Sequence, residues 1–267
     1  MMYTEQGHGG RAAGGLDSCQ TAFHPTDAAQ AHAALEHVAD ALLCAADARA
    51  AFPDIYAVIT RRVAIEVARF EGPFQEPAWI SRLAGRFCGR YLETLRWALA
   101  GSAQDTSAWA SAYDSVDAEG MPPVQHALLG LSAHINYDLA IGIHATIVEH
   151  GHADDRAMIA RYKHDHDHVN ELLDASIPEA FDRLIKRHHC ATTVWLDRGR
   201  RLTRWCTMEL LARWRARVWV EVEALLVART SAQRARVVRR IGVRAARIGA
   251  LLRRPMPALP RVHASSW

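Results

Sequence analysis

His134 and Asp138 stand four residues apart in the segment PVQHALLGLSAHINYDLAIGIHATIVEHG. On a helix that spacing puts an imidazole and a carboxylate on one side, one turn from each other. With His126 at 0° and about 100° per residue, His134 falls at about 80°, Asp138 at about 120° and His144 back near 0°. Ala127, Gly130, Ala133 and Ala145 share that sector, so a neighbouring helix or a ligand has room to approach. Asn136 falls on another side. Imidazole and carboxylate facing inward between helices is how helical bundles hold metal ions. Such donors suit Zn, Fe or Mn.

The following segment carries a second carboxylate that needs a partner. Met158, Tyr162, Val169, Leu172 and Leu173 gather on one face of a helix, and Asp165 falls inside that face. A buried carboxylate costs several kcal/mol unless a cation, a metal or strong donors compensate it. His134 and Asp138 on the preceding antiparallel helix are the expected partners. The metal set is then His134, Asp138, His144 and Asp165, with Asp138, Asp165 and His168 as the catalytic groups. The run His164–His168 (HDHDH) otherwise reads as mostly a solvated face. The His134/Asp138 pair also suits a purely structural hydrogen-bond network that fixes helix register.

Two resemblances attach to these residues. The helix pattern GxxAHINxDL (Gly130 to Leu139), the stretch FEGPFQEPAWISRLAGRFCGRYLETL (70–95) and the Asp-x-x-x-Val-Asn element from Asp165 to Asn170 resemble an actinobacterial helical family of unknown function. That resemblance spans roughly 45–190 and implies a domain without naming an activity. The spacing His134-x-x-x-Asp138-x-x-x-x-x-His144 is similar to the metal helix of the zinc-dependent phospholipase C and single-strand nuclease fold. His164-x-x-x-His168 is an imperfect counterpart of that family's second pair. The family's signal-exposed N-terminal Trp and upstream His and Asp have no match, so the resemblance implies fewer metals here.

The leading expectation is a metal-dependent enzyme, a hydrolase in which a divalent ion (Zn, Fe, Mn or Mg) lowers the pKa of a bound water acting on a small-molecule substrate. A second is a Mg-dependent isoprenoid diphosphate cyclase or lyase, with Asn136/Asp138 and Asp165/Asn170/Asp174 around the metals. No Asp-Asp-x-x-Asp motif supports it: Asp154-Asp155 is followed by Arg-Ala-Met. A third is a non-enzymatic protein that binds an anion or a partner through its basic C-terminal helices. There is no Gly-x-Ser-x-Gly, Walker or dinucleotide glycine pattern.

The elements that must position these groups read as helices throughout. The chain has 267 residues, 50% hydrophobic and 23% charged, enough for one large domain. Thr26, Pro53, Pro77, Asp154 or Asp155, Pro178 and Ser231 are expected helix starts, and Gly101 and the region of Gly151 are expected stops. No stretch alternates like a strand. The fold is expected to be all-α, a multi-helix orthogonal or bundle-like single domain with an Arg/Trp-rich helical C-terminal extension. Its expected divisions are a disordered tail (1–23), a core with the site (24–190), basic helices packed on that core (191–255) and a second tail (256–267).

Charge divides sharply between these parts. Residues 1–197 hold 15 basic and 26 acidic side chains, net −11, whereas residues 198–267 hold 17 Arg and three Glu, net +14. The Arg-rich end offers a site for an anionic group, or a clamp on the acidic body. Five unpatterned cysteines, no signal-like N-terminus and no long apolar run point to a cytoplasmic chain without a transmembrane segment.

Overall fold

The computed structural model describes residues 24–101, 107–115, 120–188 and 200–254, and among them there are helices and no strand. The tails expected over 1–23 and 256–267 lie outside these residues, as does the start of the expected basic helices, 191–199. The helices are α1 (Ala28–Cys44), α2 (Ala51–Val67), α3 (Pro77–Leu99), α4 (Ser107–Tyr113), α5 (Pro123–Ala133), α6 (Ala140–Glu149), α7 (Arg156–His188), α8 (Arg200–Val227) and α9 (Ser231–Leu252). A short 3₁₀ turn (Ala48–Ala50) leads into α2, and a π-helical segment (His134–Leu139) joins α5 to α6.

Local chemistry explains most of the boundaries. The Asp27 carboxylate accepts the Gln30 N–H at 2.8 Å and starts α1 one residue beyond Thr26. Pro77 opens α3, and Gly101 follows its end with φ +64°, a left-handed conformation that glycine takes at little cost. Asp155 accepts from the N–H groups of Ala157 and Met158. Thr230, not Ser231, caps α9, in a reciprocal box with Gln233. Pro178 does not begin a helix: it lies inside α7, which runs unbroken to His188. A proline there removes one backbone bond, and the apolar face from Leu172 to Leu184 keeps the helix on course by packing.

One apolar cluster runs from Ala28 in α1 to Ile241 in α9, so the basic C-terminal helices share a core with the acidic body. Helix α1 packs on α2 and α3, α2 on α5 and α7, α8 on α6 and α7, and α9 on α4 and α5. The π segment sits at the centre, touching α3, α8 and α9. Close approach of α2 to α5 depends on Gly130. A Cβ there would stand 2.5 Å from Phe52 Cγ, well inside contact distance. No helix among the described residues is long and apolar enough to cross a membrane.

Candidate functional site

The sequence HINYDL is the π segment itself. Its wider turn places His134 and Asp138 side by side in the core, 2% and 0% exposed. Short π insertions within α-helices are frequent at functional sites, because they offset side chains from the regular helical ladder. His134 Nδ1 lies 3.1 Å from Asp138 Oδ2. The same carboxylate accepts from Trp109 Nε1 at 3.0 Å and from Arg90 Nη2 at 3.2 Å. Three donors compensate its burial, as a charge in the interior requires.

This arrangement fixes the imidazole completely. With its Nδ1 proton given to Asp138, His134 presents Nε2 as a bare lone pair, and that atom is buried without a hydrogen-bond partner. Phe87 stacks on the ring at 3.4 Å between centroids, and Tyr56 and Phe52 meet it edge-on at 4.8 and 5.6 Å. Burial lowers the His134 pKa, against the raising effect of Asp138, so the ring is neutral near pH 7.

His134 is among the residues that line a pocket of about 720 Å³ of empty space, part of it open to solvent. The wall is mostly apolar: Ile59, Val63, Ile80, Leu83, Leu139 and Leu173 are among its residues. Its polar members are Tyr56, Thr60, His134, His166 and Arg215. A second imidazole repeats the pattern of the first. His166, 2% exposed, directs Nδ1 to Asp167 Oδ1 at 3.1 Å and leaves Nε2 buried without a partner. Burial and the nearby Arg215 push its pKa down to about 4. Arg215, 5% exposed, donates from Nε to Asn170 Oδ1 at 2.7 Å and from Nη2 to the His166 carbonyl. Burial brings the guanidinium down to about 10, with Asp167 raising it.

A concave apolar site with a few convergent polar groups is the usual form of a small-molecule pocket. Both histidines of this lining, His134 and His166, carry a buried Nε2 without a hydrogen-bond partner. The family-model comparison covers residues 28–255. The chain belongs to DUF5995, a family of unknown function. No curated protein and no solved structure matches it. Within this DUF5995 chain, the match takes in the Arg-rich helices as well as the acidic body, in keeping with their common core.

The other expected site residues have surroundings of their own. Asp165 is buried as expected, but its partners are two backbone groups and a neighbouring imidazole: Oδ1 accepts the Gln75 N–H at 2.8 Å and lies 3.2 Å from His164 Nδ1, and Oδ2 accepts the Glu76 N–H at 2.7 Å. It ties down the loop that precedes α3. His144 is half-buried on α6, its pKa lowered by burial and by Arg234. His168 packs edge-on against Phe74 and lies 3.4 Å from Glu171. Among the described residues no three His, Cys, Asp or Glu side chains gather as a metal cluster. Asn136 bonds to the Ser132 carbonyl at 3.1 Å, and Asn170 holds Arg215.

Two site residues escaped sequence reasoning although their spacing marked them. His166 is four residues after Tyr162, three before Val169 and seven before Leu173, in the middle of the buried face of α7. Reading HDHDH as a charge run hid it. Arg215 sits between Leu211, Val218, Trp219 and Val222 on the buried face of α8, and was counted with the basic extension.

Proposed function

We propose that this chain binds a small, largely apolar molecule between α2, α3, α7 and the π segment, and that His134 is the proton acceptor of a hydrolytic reaction there. The observation that carries this reading is the partnerless Nε2 of a buried imidazole whose other nitrogen is fixed by Asp138. That is the arrangement in which a carboxylate orients a histidine base. Water adds to an acyl carbon as one of its protons passes to Nε2. The C–O bond to the leaving group then breaks, and the proton leaves with the alcohol. The apolar wall limits the water that competes for Nε2 and favours an aliphatic or aromatic acyl group.

4-Nitrophenyl decanoate is a direct test. The expected result is turnover that falls at least about 100-fold in His134→Gln, the usual size of a general-base contribution, with the fold intact by circular dichroism. Absence of both turnover and binding by wild type would overturn the reading. A divalent ion is the second reading, favoured by two pocket-lining histidines, His134 and His166, each with an Nε2 that has no hydrogen-bond partner. Turnover lost to chelator and restored by Zn would select it; turnover indifferent to chelator would select His134 as the base.

A further inference from the structure

Arg215 is a cation in the wrong place for a structural residue. It is buried in the wall of an apolar pocket, and no carboxylate of the described residues forms an ion pair with it. The counter-charge it feels, Asp167, is already bonded to Lys163 and His166. The protein spends two of the five guanidinium N–H groups on neutral oxygens, those of Asn170 and the His166 carbonyl. That leaves three N–H groups and a whole positive charge. Nearby, His166 Nε2 lacks a partner as well, while the remaining wall offers little but aliphatic and aromatic carbon.

Resting on the pocket reading above, we infer that the ligand is a monoanionic amphipath, an apolar chain or ring ending in a carboxylate that pairs with Arg215. A single unpaired cation matches a single negative charge, and a guanidinium edge matches the two oxygens of a carboxylate. A phosphate dianion would need a second cation, and the described wall has none. A neutral lipid would fill the apolar volume and leave the guanidinium unpaired in low dielectric, where an unpaired charge is expensive. A monocarboxylate is also what hydrolysis of an acyl ester releases, so the inferred ligand and the proposed reaction are of one chemistry.

Calorimetric titration of the full chain with decanoate and with decanol at equal ionic strength tests the inference. Decanoate is expected to bind at least about tenfold more tightly, about 1.4 kcal/mol. Arg215→Met should bring the two ligands level, and Arg215→Lys should restore part of the preference. A measurement that needs no variant uses [1-¹³C]decanoate on wild type. Paired with Arg215, its carboxyl should stay ionised to lower pH than the free acid does. Equal binding of decanoate and decanol, or a bound carboxyl that titrates at or above the free acid, overturns the anionic anchor and leaves the pocket standing. Failure of both ligands to bind overturns the pocket reading itself.

Discussion

Asp138 is a fully buried carboxylate held by an imidazole, an indole N–H and a guanidinium. Asp138→Asn keeps the shape but removes the charge and offers fewer acceptor positions to three donors. A loss of about 3 kcal/mol by urea denaturation is expected, because breaking a buried pair strands what remains. The charge on His134 and His166 makes a separate prediction. Both imidazoles have folded pKa values below the ordinary 6.5, through burial above all, His166 reaching about 4. Between these values the unfolded chain binds more protons than the folded one, so stability must fall as pH drops from about 6.5 to about 4. Below that window Asp54 takes over. Burial would raise its pKa, but bonds from His188 and Arg183 prevail and hold it below 3.8. Its contribution is complete above that pH and is lost as pH falls through the lowered value. Denaturation at half-unit steps from pH 7 to 4 should show the first slope, reduced in His166→Gln; flat stability across this range would contradict the imidazole assignment.

At the scale of elements, three sequence segments that look unrelated meet through single side chains. Asp165 on α7 holds the loop before α3, Val169 lines the pocket, and Asn170 orients Arg215 of α8. Asp165→Ala removes the acceptor for two backbone N–H groups. It should cost about 2 kcal/mol and release amide-exchange protection at Gln75 and Glu76 while leaving ligand affinity unchanged. A loss of ligand binding with protection retained would return Asp165 to the site. Helix existence was legible from the 3.6-residue apolar period, and so was the His134/Asp138 pair. The π segment was not: on a regular helix the two residues already share a side, so the extra residue in the turn left no mark in their spacing. Pro178 misled because local chemistry favours a break there, whereas the packing of α7 on α2 and α8 overrides it. Asp165 was correctly read as buried and in need of donors. Which donors it found depended on a loop contact about ninety positions away, which periodicity does not encode.

Over the whole molecule, the division between acidic body and basic end is resolved partly inside the basic end itself. Glu221 of α8, fully buried, takes Arg240 and Arg244 of α9 at 2.6 Å each and Arg217 of its own helix at 3.1 Å. Among the described residues, Arg229 pairs with Asp154 of the body at 3.1 Å and Arg253 with Asp114 at 3.9 Å, both at exposed positions. The basic end is also held by apolar packing, with Leu211, Trp214, Val218, Trp219 and Val222 entering the common core. Glu221→Gln should loosen α9 from α8 and cost about 2 kcal/mol, less than a wholly buried triad because two of its three arginines stay half in water. Raising salt from 0.05 to 0.5 M, about a threefold shortening of the screening length, should change wild-type stability little. A steep salt dependence would instead favour the charge clamp.

The proposed chemistry turns on the state of one nitrogen, His134 Nε2. Long-range ¹H–¹⁵N spectra of the imidazole-labelled full chain at pH 7 report it directly, first alone and then saturated with decanol. The expected spectrum shows His134 with its proton on Nδ1 and a bare Nε2, whose resonance moves when decanol fills the pocket. A proton on Nε2, or a His134 signal indifferent to decanol at saturating binding, would contradict the claim that this imidazole faces the ligand as a base.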